Sequence, residues 1–99
     1  MGYDLRWSES ALDDLEAIFD YLQRQWSQRE VDQFKQLLTG RLETIQKFPA
    51  LFPLSHEKNQ LRKSVISRQT SIFYQVDQKG EIISIIRLFD NRMDPKKLT

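Results

Sequence analysis

Apolar positions along this chain change their period twice, and the changes divide it into elements. Tyr3, Leu5 and Trp7 alternate with polar residues, the period of two that turns one face of a short strand toward a core. From Ala11 the period becomes helical: Ala11, Leu15, Ile18 and Leu22 form a stripe, which Leu12 and Phe19 widen. Ser8 or Ser10 can cap this helix, and Glu9, Asp13, Asp14 and Glu16 lie near its start, where the helix dipole favours anions. The helix is predicted to run to about Gln25. Ser27 and Glu30 then fit a capping box, in which each side chain satisfies the other's free amide. Behind it Val31, Phe34, Leu38, Leu42 and Ile45 make a second stripe, with Leu37 and Phe48 close by. Gly40 weakens this helix by about 1 kcal/mol relative to Ala, and Pro49 ends it. Helices with so short a link form an antiparallel hairpin, packed stripe to stripe.

The second half returns to strand character. A loop, PALFPLSHEKNQ, carries Leu51 and Phe52 as anchors against the core, and strands follow at about 61–66, 70–76 and 81–89. Asp77-Gln78-Lys79-Gly80 is a hairpin turn in which Gly80 can take positive φ. Strict alternation in the last strand sends Ile82, Ser84, Ile86 and Leu88 to one face and Ile83, Ile85, Arg87 and Phe89 to the other. Both sets are largely apolar, so this strand is either central and covered twice or partly exposed and awaiting a partner. The order β-α-α-β-β-β predicts an α+β fold: one domain over residues 1–99, a helix hairpin on a small antiparallel sheet whose first strand pairs with one of the last three.

Composition narrows the chemistry. The 99 residues are 39% hydrophobic and 11% aromatic, which fits one modest core rather than disorder. There is no cysteine and one histidine, His56, so disulfides, thiolate metal sites and histidine-rich zinc sites are excluded, and a reducing cytoplasmic home is compatible. No apolar run approaches the roughly 18 residues of a membrane span, so no membrane association is expected. The helical stripes read as core packing and imply no cofactor. Residues 1–53 hold six Lys/Arg against nine Asp/Glu, a net −3, while residues 54–99 hold nine against five, a net +4. An acidic half joined to a basic half implies a two-faced surface.

LRWSESALDDLEAIFDYL, the second helix ending at Phe48-Pro49, the Leu61-Arg62 strand opening, and SIFYQVDQKGEIISIIRLFDNRMDP follow one another in the order of a known family. In that ordered set the chain resembles the RelE/ParE superfamily of type II toxin–antitoxin toxins, which include plasmid-stabilisation modules. The resemblance implies a cognate antitoxin whose C-terminal segment wraps the toxin, operator DNA reached only through that antitoxin, and a homodimer or toxin–antitoxin hetero-oligomer as the assembly. It also implies one of two activities: ParE-like inhibition of DNA gyrase, or RelE-like cleavage of mRNA on the ribosome. A third reading is a non-toxic partner that acts with the antitoxin as co-repressor.

Ribose 2′-hydroxyl attack on phosphate needs a base, an acid and cations about the transition state. If the chain is a nuclease, Arg62, Arg68 and Arg87 are the cations, Tyr74 gives or takes a proton, and Asp90 or His56 is the base. Each has a plainer reading: a core tyrosine at Tyr74, a turn cap at Asp90, a solvated loop histidine at His56, and solvated strand ends at Arg62 and Arg68. RelE-like nucleases commonly carry a Tyr or a His-Tyr pair near the C-terminus, and LFDNRMDPKKLT has neither. A gyrase inhibitor needs only a complementary surface, for which Arg87, Phe89, Arg92, Lys96 and Lys97 are the partner-binding candidates.

Overall fold

The computed structural model describes residues 2–93, the side chain of His56 excepted. A short strand, β1 (Asp4–Trp7), leads into α1 (Glu9–Gln25) and α2 (Gln28–Lys47). Four strands follow: β2 (Leu54–His56), β3 (Leu61–Val65), β4 (Thr70–Asp77) and β5 (Ile82–Asp90). They form one five-stranded sheet in the order β1-β5-β4-β3-β2. The α+β architecture expected from the pattern is present, with two additions. The loop after α2 contributes the three-residue strand β2, and β1 joins the sheet parallel to β5, so the sheet is mixed rather than wholly antiparallel. Asp4 N–H donates to the Glu81 carbonyl at 2.8 Å and Ser8 N–H to the Ile85 carbonyl at 3.0 Å, bracketing that parallel ladder.

Ser8 is the cap of α1. Its hydroxyl accepts from the Ala11 amide at 3.0 Å and donates to the Ile86 carbonyl at 2.8 Å, so one side chain starts the helix and ties it to the sheet. The capping box of α2 does not form. The Glu30 amide is taken by the Ser27 carbonyl at 3.1 Å, which leaves the Ser27 hydroxyl to bond the Glu30 carboxylate instead. The core joins Ile18 and Leu22 of α1 and Val31, Phe34, Leu38 and Ile45 of α2 to Ile72, Tyr74, Ile83, Ile85 and Leu88 of the sheet. Phe19 and Phe34 meet edge to face at 5.4 Å between centroids and join the two helices. Leu12 and Leu51 do not take the places expected of them: both are exposed, and Phe52 alone anchors the loop.

Two details of the strands depart from the pattern. In the β4–β5 turn the left-handed residue is Glu81, at φ 54°, not Gly80. In β5, Phe73 pairs with Arg87 but Tyr74 pairs with Ile85, so Ile86 is an extra residue, a β-bulge. Strict alternation therefore fails after Ile85. Ile83, Ile85, Leu88 and Asp90 are buried toward the helices, while Arg87 and Phe89 are turned off the core. No helix among the described residues is long and apolar enough to cross a membrane.

Candidate functional site

The bulge shapes the most distinctive part of the surface. β1 accompanies β5 only as far as Ile85, so among the described residues no strand lies beside the β5 edge from Ile86 onward. Ser8 bonds the first carbonyl past that point, and Asp14 bonds the next exposed amide. The Asp14 carboxylate accepts from the Leu88 N–H at 2.9 Å and receives the Arg87 guanidinium through both oxygens, at 2.7 and 3.0 Å. Its side chain is only 16% exposed, against 59% for Arg87. The bidentate contact raises the Arg87 pKa still further, so the guanidinium is a permanent cation. Between α1 and this edge lies a groove of about 170 Å³ with Ala17, Ile18, Leu88 and Met93 in its lining.

On the side of the sheet away from the helices the register places Lys63, Phe73 and Arg87 in a row, with Val65, Ser71 and Phe89 in the next. The Lys63 ammonium lies 5.6 Å from the centre of the Phe73 ring. Leu61, Phe73, Arg87 and Phe89 line a shallow depression here. This is the leftover face implied by the greasy last strand: apolar, aromatic and cationic, and open to solvent.

Asp90 and Arg92 form a second cluster at the end of β5. The Asp90 side chain is fully buried and accepts four hydrogen bonds: Thr70 Oγ1 at 2.8 Å, the Arg92 amide at 3.0 Å, and Arg92 Nε and Nη2 at 3.0 and 2.7 Å. Burial alone would raise the Asp90 pKa, but the bonds from Arg92 and Thr70 outweigh it and hold the carboxyl below its ordinary value. Arg92 also stacks 5.6 Å from the Trp26 ring, and its carbonyl accepts from the Tyr21 hydroxyl at 2.7 Å. The chain leaving β5 is thereby fastened to the turn of the helix hairpin.

Arg62 and Tyr74 hold the loop after α2. The Tyr74 hydroxyl, fully buried, donates to the Pro49 carbonyl at 2.8 Å, and Arg62 Nη1 donates to the Phe52 carbonyl at 2.6 Å. Burial pushes the Tyr74 pKa up, opposed by the nearby Arg62 charge. Arg68 sits on the exposed β3–β4 turn, its carbonyl bonded by the Asn91 side chain. So Arg62 and Tyr74 come together, Arg87 and Phe89 come together, and of the six nuclease candidates the five whose side chains are described, Arg62, Arg68, Tyr74, Arg87 and Asp90, do not converge. Lys96 and Lys97 lie outside the described residues. The sequence reading missed Asp14 and Lys63 as parts of the surface. Asp14 is indistinguishable in the pattern from the other helix-start acids, and only the bulge brings Arg87 to it.

The chain resembles solved toxin structures along most of its length. A chromosomal ParDE system of P. aeruginosa matches with a TM-score of 0.72 at 21% identity, over 89% of this chain and 95% of that one. The RelBE2 toxin–antitoxin complex of Mycobacterium tuberculosis matches with a TM-score of 0.62 at 16% identity, over 91% and 99%. The E. coli RelBE complex matches at 0.58 and 19%, over 89% and 95%. Among curated proteins no relative matches. Identities this low speak for the fold, and the family rests on the sequence: the model of the ParE toxin of the type II toxin–antitoxin system parDE matches residues 5–95. The chain belongs to the ParE toxin family of type II toxin–antitoxin systems.

Proposed function

We propose that this toxin acts by binding rather than by cleaving, with DNA gyrase as its target and a cognate antitoxin as its restraint. The observation that carries the reading is the engagement of the two groups suited to proton transfer. Tyr74 is buried with its hydroxyl bonded to a backbone carbonyl, and Asp90 is buried beneath four donors and held ionised. Thr70, which holds Asp90, stands four residues from Tyr74, roughly 13 Å along β4. General acid–base chemistry needs both groups within hydrogen-bond reach of one substrate, so this separation favours a surface mechanism. The open face, with Lys63, Phe73, Arg87 and Phe89, supplies aromatic and cationic anchors of the kind that dominate protein interfaces. An antitoxin partner is supported by the toxin–antitoxin complexes among the structural neighbours.

Expression without antitoxin is expected to arrest bacterial growth, and the purified chain to block supercoiling by purified gyrase. Toeprinting of translated mRNA should show no new stops. Ribosome-dependent cuts with gyrase unaffected would replace this reading with the nuclease one. Unimpaired growth at good protein levels would refute toxicity and leave the co-repressor role.

A further inference from the structure

We infer that the free β5 edge from Ile86 to Asp90 is a strand-docking site, and that Asp14 is an internal placeholder for the segment that docks there. The segment is an extended stretch of the antitoxin in which aliphatic and acidic residues alternate, so the inference rests on the antitoxin reading above.

The Asp14 carboxylate does two jobs at once. Toward the Leu88 N–H it stands where the carbonyl of a neighbouring strand would stand. Toward Arg87 it stands where an acidic side chain of that strand would stand. The edge is otherwise prepared for continuation, because β1 ends at Trp7, opposite Ile85, and Ser8 has only turned the chain into α1. A strand added beyond Ser8 replaces one Asp14 bond with a backbone bond and the other two with a side-chain carboxylate. Displaced, Asp14 is released to water.

The two faces of the added strand set its composition. Side chains on the helix side enter the groove beside Ala17, Ile18 and Met93, which accepts aliphatic groups. Beyond Ala17, the adjoining surface of α1 carries Asp13, Glu16 and Asp20 against the single cation Arg24, which already pairs with Asp20 at 3.2 Å, so the local charge disfavours a second carboxylate. Side chains on the open side meet Arg87, with Lys63 on the same row of the sheet. The acidic positions therefore face outward and the aliphatic ones inward, a period of two. In the free protein Asp14 also blunts the edge and guards against pairing of two copies.

The test uses the full-length labelled chain and two blocked heptapeptides, TVEVEVT and TVQVQVT, followed by NMR. The acidic peptide is expected to shift the Leu88 amide and the Asp14 carboxylate carbon and to bind about tenfold more tightly than its Gln counterpart, the factor that about 1.4 kcal/mol provides. Asp14→Ala, or Asp14→Asn should the first variant fold poorly, is expected to bind the acidic peptide more tightly still, because the competitor is gone. A carboxylate with a merely structural role would leave that affinity unchanged or lower it. Equal binding of the two peptides, or no response at Leu88, overturns the inference. So does Leu88 broadening that scales with protein concentration alone, which would assign the edge to a second copy. Growth arrest is read separately, so failure of the toxin reading stays distinguishable from failure at the edge.

Discussion

Asp90→Asn is expected to be among the most damaging single substitutions in this chain. The wild-type carboxylate is fully buried and neutralises Arg92, whose side chain is only 18% exposed. Asn keeps the shape and can still accept from Thr70, but it leaves the guanidinium with little water and only the more distant Glu30 as countercharge. Breaking a buried pair by removing one partner costs about 3–5 kcal/mol, and the partial exposure of Arg92 puts this case near about 3 kcal/mol. In a domain of 99 residues that lowers Tm by about 12–24 °C, at 4–8 °C per kcal/mol. The pH dependence has a definite sign. The folded Asp90 pKa is depressed, so its contribution is present above the unfolded value near about 3.9 and is lost as pH falls through the folded one. Urea titrations read by fluorescence of Trp7 and Trp26 should therefore show the full deficit at pH 7 and a shrinking one in acid. Asp90→Leu combined with Arg92→Leu should recover at least half of it, because no charge is left stranded. A deficit under about 1 kcal/mol at neutral pH, or one indifferent to acid, would refute the claim that this cluster anchors the end of β5.

Two further outcomes are expected. Glu81→Gly should stabilise the fold by about 0.5 kcal/mol, since left-handed backbone costs a non-glycine residue about 1–2 kcal/mol and glycine returns part of that as chain entropy; a lower urea midpoint would show that the Glu81 side chain matters more than its φ. Tyr74→Phe should cost about 1 kcal/mol by removing the bond to Pro49, yet leave gyrase inhibition intact; loss of inhibition in a folded variant would return Tyr74 to the functional surface.

The helices were legible because each level of pattern agreed. Ala11, Ile18 and Leu22 repeat at helical spacing, Ser8 precedes them, and all three are buried as the stripe requires. The turn of φ at Glu81 was not legible, because Gly80 is the residue that propensity favours and the β4–β5 register, not propensity, decides which residue turns. Leu51 shows the same limit: an apolar residue in a loop has no period to say which way it points, and the core beside Pro49 and Phe52 is already closed by Tyr74 and Arg62. The parallel placement of β1 is a tertiary choice between strands whose paired residues are 78 positions apart, and no local signal encodes it.

The bulge at Ile86 has the largest consequence for function, since one unpaired residue exchanges the faces of everything after it. Under strict alternation Arg87 would share a face with Ile83 and Ile85, which are fully buried, and a guanidinium there would need a buried countercharge. With the bulge, Leu88 takes the core position, and Arg87 comes to the strand margin within reach of Asp14. Phe89 moves outward by the same shift and joins Phe73 and Lys63 on the open face, while Asp90 moves inward to meet Thr70. The run of Ile, Arg, Leu, Phe and Asp is thus neither a doubly covered central strand nor a uniformly exposed one. It is central up to Ile85 and an edge beyond it, and the residues suited to binding begin where the ladder with β1 stops.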